Sequence, residues 1–273
     1  GAYLMNGTTT LRGAQVFSNT AAGQGGGVKL SAATLMLTDA AIYSNTATQN
    51  GGGMSMLNST ATVVTVTVTG NRTLLAGGGI NLNGSGGVSG LRLTGVTIAG
   101  NSAGGSSTGG GIALGSNSWL TLTQSSIAAN SAGAQGGGIY HESLTSWMEI
   151  DASSIYSNTG VSGGGIFSQA PFTLTNSTVA HNQASTGTGG GISHNSGRLQ
   201  LRNATLASNT AATEGGGLYL HPAATANLTN TLVVNSIAGG DIVGQGTLNQ
   251  AQVLTGTLAL GALQDNGGPT WTM

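Results

Sequence analysis

The stretch Ala41-Ile42-Tyr43-Ser44-Asn45-Thr46-Ala47-Thr48-Gln49-Asn50-Gly51-Gly52-Gly53-Met54 carries the pattern that decides the fold. An aliphatic residue, Ile42, stands three places before an asparagine. Six places after that asparagine a glycine triplet leads into another apolar residue. The arrangement recurs along the whole chain. Triplets begin at Gly25, Gly51, Gly77, Gly109, Gly136, Gly163, Gly189 and Gly215, at spacings of 26, 26, 32, 27, 27, 26 and 26 residues, and a degenerate copy follows at Gly239-Gly240-Asp241-Ile242. Asparagine recurs in step at Asn19, Asn45, Asn71, Asn101, Asn130, Asn158, Asn182, Asn209 and Asn235. Three places before each stand Val16, Ile42, Val68, Ile98, Ile127, Ile155, Val179, Leu206 and Leu232. Eight places before stand Leu11, Leu37, Val63, Leu93, Leu122, Ile150, Leu174 and Leu201, with Leu228 one place off in the ninth copy.

Within each unit the local period is two, as in Leu35-Met36-Leu37, Leu91-Arg92-Leu93, Leu120-Thr121-Leu122 and Leu199-Gln200-Leu201. Alternation of aliphatic and polar residues reads as strand, and the glycine and threonine content of every window disfavours helix. A strand-bearing unit repeated at a fixed period cannot bury its apolar side alone and must stack on its neighbours. The sequence therefore predicts an all-β fold, a right-handed parallel β-helix (β-solenoid) of about 9–10 coils of about 26 residues, each with roughly three short strands. Residues 1–240 form the repeats and 241–273 a closing segment or tail with strands at Thr247-Leu248 and Thr257–Leu260. Each column becomes a ladder along the rod: aliphatic core, glycine corners, and a structural asparagine ladder whose amides hydrogen-bond along the axis. The glycines between Gly84 and Gly90 and at Gly104-Gly105 lengthen one interval and predict outward loops.

Composition removes several function classes. Lys and Arg total 6 in 273 residues, too few for a basic nucleic-acid patch. Charged residues are 5% and hydrophobic ones 38%, the reverse of a disordered chain. With no cysteine there is neither a disulfide framework nor a thiolate metal site. No apolar run reaches the ~20 residues of a membrane span. The chain opens on Gly1-Ala2-Tyr3-Leu4 without a leader pattern and reads as a mature or excised portion of something longer.

The pairing of Gly-Gly-x-aliphatic with Val16-Phe17-Ser18-Asn19 and Ile42-Tyr43-Ser44-Asn45 resembles the repeats of polymorphic outer-membrane proteins and of bacterial right-handed parallel β-helix repeat proteins of the cell surface. The segment Leu260–Thr270 resembles the end of secreted β-helix proteins with a choice-of-anchor C-terminal domain. The resemblance implies an exported, surface-associated life, in adhesion, display or structural roles more often than catalysis.

The residues able to carry chemistry are sparse. Parallel β-helices include polysaccharide-cleaving enzymes, and glycoside hydrolysis needs two facing carboxylates. The acids are Asp39, Glu142, Glu149, Asp151, Glu214, Asp241 and Asp265. Only Glu149 and Asp151 are close, on one outward strand side, where a solvated face is the plainer reading. His141, Ser168 and His194 share the inward column otherwise held by Leu30, Met56, Leu82, Leu114 and Leu220, which makes them a metal or catalytic set or, more simply, a buried polar ladder. His181 and His221 fall at corners. The adjacent outward column contains Tyr140, Phe167 and Tyr219, a contact strip for sugar rings or protein, or else rungs that stabilise the sheet. No catalytic, metal or cofactor site is expected. The leading expectation is a non-catalytic extracellular structural protein of the cell surface, a self-assembling fibre or filament subunit or an adhesin stalk. Its partner would be itself, as a head-to-tail homopolymer, through strand edges left open at the two ends. The alternative is a carbohydrate-binding or polysaccharide-cleaving β-helix, with surface glycans as partners.

Overall fold

The computed structural model describes residues 1–264, 266 and 270–273. Within them the chain winds into about ten stacked coils without a helix. One coil is built from Met54–Leu57, Thr60–Val64, Thr67–Thr69 and Arg72–Thr73, and the next from Ile80–Asn83, Ser89–Thr94, Thr97–Ala99 and Ser102–Ala103. They pair in parallel, with Met54 opposite Ile80, Val63 opposite Leu93, Val68 opposite Ile98 and Thr73 opposite Ala103. Each coil thus has four strand segments where the sequence predicts about three. The extra one is the two-residue piece after the asparagine, and these pieces make a separate sheet of 8 strands beside the main sheet of 26. At ~4.8 Å per coil the rod is roughly 45 Å long.

Left-handed backbone at fixed columns makes the coil close. In one coil Asp39 (φ 50°), Ser44 (φ 54°) and Gly51 (φ 71°) turn the chain. The non-glycine residues there cost of order 1 kcal/mol each and are held because the same residue in the next coil is locked by the same interstrand bonds. The triplet Gly51-Gly52-Gly53 has a different need at each position. Gly51 supplies the positive φ, while a Cβ on Gly52 would lie 2.4 Å from the carbonyl oxygens of Arg72 and Gly78, and one on Gly53 2.7 Å from that of Gly79. The inward columns fill the interior: Leu37, Val63, Leu93, Leu122, Ile150, Leu174, Leu201 and Leu228, and beside them Ile42, Val68, Ile98, Ile127, Ile155, Val179 and Leu206, are all buried. The interval after Gly77 forms loops over Gly84–Val88 and Gly104–Ser107, as the glycines there predict.

The last coil departs from the pattern in several places. Leu206 pairs with Val233 and not with Leu232, so the inward column passes through Val233. The main chain slips by one here, which puts Asn235 (φ 56°) in the left-handed column of Ser208 (φ 54°) and Ser236 in the place of Asn209. Ile242–Gly244 and Thr247–Gly256 then pair with Leu218–Leu220 and Ala224–Val234, so the coil pattern runs to Gly256. Its inward positions turn polar or vanish: Gln250 stands opposite Leu228, Thr255 opposite Val233, and Gly244 opposite Leu220.

Thr257–Leu260 forms no strand. Asn235 brackets Leu258 instead, its Nδ2 donating to the Leu258 carbonyl (2.7 Å) and its Oδ1 accepting from the Leu258 N–H (2.8 Å). The chain then returns along one flank, where Trp271 stacks on Tyr156 with ring centroids 5.4 Å apart and Thr270 donates to the Ala152 carbonyl. Outward-facing Ser154, Thr178, Ala180 and Ala207 on this flank are buried, whereas their counterparts Thr67 and Thr97 are exposed. Part of the tail motif, Asp265 and Gly267–Pro269, lies outside the described residues.

Candidate functional site

The asparagine ladder is continuous from Asn19 to Asn209. From Asn45 to Asn182 each residue donates both its backbone N–H and its Nδ2 to the Oδ1 of the asparagine one coil on, at 2.9–3.1 Å. The second Nδ2 proton goes back to the carbonyl of the aliphatic residue one coil earlier, as from Asn158 to Ile127 (2.9 Å). Each amide thus meets its full donor capacity in a site closed to water. Asn235 is not a rung. In its place Ser236 donates its N–H to the Asp241 carboxylate (3.0 Å), which also accepts from the Gly256 N–H. A second column, on the outside, joins Asp151, Asn176, Asn203 and Asn230 by side-chain bonds of 2.8–3.0 Å.

His141, Ser168 and His194 occupy successive rungs of one inward column and are fully buried. His141 Nδ1 lies 3.1 Å from Ser168 Oγ and its Nε2 2.9 Å from Ser146 Oγ. A neutral imidazole has one N–H, so it donates to one serine and accepts from the other. His194 Nε2 donates to the Gly197 carbonyl (3.2 Å), its ring meets Phe172 edge-on at 5.6 Å, and its Nδ1 has no partner. Burial lowers both histidines to about 4, against a partial upward pull from the bonds to Ser146 and Gly197. Both are neutral at pH 7. Walled in by Leu114 and Leu220, the set has no path to a substrate.

The outward column beside it includes Asn81, Ala113, Tyr140, Phe167, Ser193 and Tyr219 in register. Tyr140 and Phe167 stack, with centroids 5.7 Å apart. They do not form an open strip. Phe167 is only 5% exposed, because the glycine corner at Gly163 closes over its Cβ, and Ser193 separates it from Tyr219. The column is instead the floor of a trough. Its deepest part, about 190 Å³, is lined by Asn50, Asn81, Asn83, Thr108, Tyr140 and Glu142. Desolvation, and secondarily the charge of Glu142, raises the Tyr140 hydroxyl above its usual value.

The most exposed aromatic pair lies on the neighbouring face. Trp119 and Trp147 stand opposite each other on successive coils, stacked at 5.9 Å with 13° between planes, and Trp147 is 48% exposed. Column-by-column reading of the triplet strand does not find them, because they start the next strand. Their spacing of one coil, 28 residues, together with Met148 and Leu120 as the inward neighbours, was the available signal. Glu149 and Asp151 also point outward from this face, Asp151 tied to Asn176 Nδ2 at 3.0 Å. Asp39 pairs with Arg12 at 3.3 Å on the surface. Asp265 lies outside the described residues. The trough at Tyr140 contains one carboxylate, Glu142, and the depression beside Trp147 contains one, Glu149. No group of three or more His, Asp or Glu side chains able to hold a metal occurs among the described residues.

Residues 78–255, about two-thirds of the chain, match the family model described as the right handed beta helix region. Neither the curated proteins nor the solved structures gave a match.

Proposed function

The chain belongs to the right-handed beta helix family, and on that premise we propose that it is a rigid, non-catalytic rod of the cell exterior, acting as a stalk. The observation that carries this reading is the unbroken ladder from Asn19 to Asn209, locked to parallel sheets in constant register. Bending such a rod strains many buried bonds at once, which suits a spacer. The single carboxylates at the trough and beside Trp147 support a non-catalytic role, since retaining or inverting hydrolysis needs two. A surface with 5% charged residues and the likeness of the repeats to bacterial cell-surface proteins support the exterior.

Of the two rod readings, a stalk is favoured over a head-to-tail homopolymer. Stacking a further coil on Thr247–Gly256 would bury Gln250 where earlier coils place leucine, and would leave a gap at Gly244. Electron microscopy of the purified chain at neutral pH tests the proposal. Dispersed rods roughly 45 Å long are expected. Regular filaments would replace the stalk with a polymer subunit, and compact particles would remove the rod altogether.

A further inference from the structure

The outward column through the tryptophans continues in both directions along the rod. It runs Gly90, Trp119, Trp147, Pro171 and Arg198, each residue one coil from the last. Trp119 lies flat over Gly90, where a Cβ would fall 2.1 Å from the indole, so only glycine admits it. Trp147 stacks on Trp119, and one indole face of Trp147 points along the axis toward the next coil. That coil offers no standing side chain. Pro171 lies down against Gly197, where a Cβ would be 2.9 Å from the proline Cδ. The coil after it carries exposed Arg198. The aromatic staircase therefore has one vacant step, between an indole and a guanidinium two coils, about 9.6 Å, apart. A flat ring in van der Waals contact with both planes needs roughly 7–8 Å. The step is the depression of about 330 Å³ floored by Pro171, Phe172 and Thr173, with Glu149 and Gln200 at its rim.

We propose that the vacant step binds one hexopyranose ring of a saccharide chain. The C–H face of the ring stacks on Trp147. Its hydroxyls donate to Glu149 and accept from Arg198, with Gln200 and Thr173 doing either. A wholly apolar ligand would strip Glu149 and Gln200 of water without replacement. A nucleotide brings phosphates, and the one cation here is already offset by Glu149. A hydroxylated ring satisfies the stacking face and the polar rim together. The site is separate from the trough at Tyr140, and its test does not depend on the rod proposal.

The test titrates the folded chain separately with cellohexaose and with hexagalacturonate, reading heat and tryptophan emission. At least one should bind. Trp147→Ala should weaken it roughly tenfold or more. Pro171→Trp should fill the step and abolish binding, and Tyr140→Ala should leave affinity unchanged. Thermal midpoints near that of the parent would show that the first two variants remain folded. If neither sugar produces a signal, or if affinity survives Trp147→Ala and Pro171→Trp, the proposal is overturned. Loss of binding in Tyr140→Ala alone would move the site to the trough. A dimer that Trp147→Ala converts to monomer, with no sugar response, would assign the face to a second copy.

Discussion

A ladder asparagine has four partners, and its loss strands groups on both neighbouring coils. Removing Asn158 leaves the Asn130 N–H and Nδ2, the Asn182 Oδ1 and the Ile127 carbonyl each short of a bond. At 1–3 kcal/mol for a buried unsatisfied group, Asn158→Ala should cost at least about 3 kcal/mol, measured as a shift in the urea midpoint. Asn235→Ala, outside the ladder and exposed, should cost under about 1 kcal/mol. Equal losses would remove the ladder from its structural role. The buried histidines give the rod a pH dependence of definite sign. Both have folded values near 4, below the ~6.5 of an unfolded chain, so the unfolded state binds more protons between those limits. Stability is complete above pH ~6.5 and falls as the pH drops toward 4, by roughly 3 kcal/mol per histidine. His194→Leu places the residue of Leu220 and Leu114 in the column and removes the unpaired Nδ1. It should raise the thermal midpoint at pH 5 and flatten the profile. A profile identical to the parent's would show that this histidine is not the titrating group.

The element that sets the coil is the glycine corner, and its three residues tolerate substitution unequally. Gly52→Ala drives a methyl into backbone oxygens at 2.4 Å that belong to two other segments, neither of which can yield without breaking a ladder. A loss of roughly 3 kcal/mol or more is expected. Gly13 also has positive φ (62°), but a Cβ there would have nothing within 4 Å. Gly13→Ala should cost only the conformational strain, about 1 kcal/mol. Denaturation of both variants checks the ordering; a larger loss at Gly13 would mean that φ, and not crowding, governs the corners. Corner geometry also explains why the strands stay short. The left-handed residue before each asparagine, such as Ser44 or Ser157, ends one sheet and starts the small one, so the fourth strand segment has only two residues.

On the scale of the molecule, the coils form one continuous core with a tapering end and a tail folded back on the flank. The tail is held by Trp271 on Tyr156 and by Thr270 on Ala152, over a floor of small residues. Trp271→Ala should release it. Limited proteolysis should then cut after Gly256 in the variant under conditions that leave the parent whole, with the solenoid fragment unchanged. Cutting at the same rate in both would place the holding contacts elsewhere. The tail also decides which outward positions remain available as surface: Ala180 and Ala207 are covered, whereas the face with Trp119 and Trp147 is open.

The repeat alone determined the coil, the parallel register, the aliphatic core and the identity of the ladder asparagines up to Asn209. These depend on what one coil presents to the next, and stacking at constant period turns that into a column that can be read as a spacing. The inward set of His141, Ser168 and His194 was legible for the same reason. Tertiary structure decided what the period does not carry. The one-residue slip that takes Asn235 and Leu232 out of their columns follows from how the last coil closes on Asp241. Phe167 lost its place in an exposed strip because whether an outward residue meets solvent depends on the loops beside it. The open face of Trp147 arises from Gly90, Pro171 and Gly197, whose effect lies in the side chains they do not raise, and such gaps are visible only once neighbouring coils are set at their true distance.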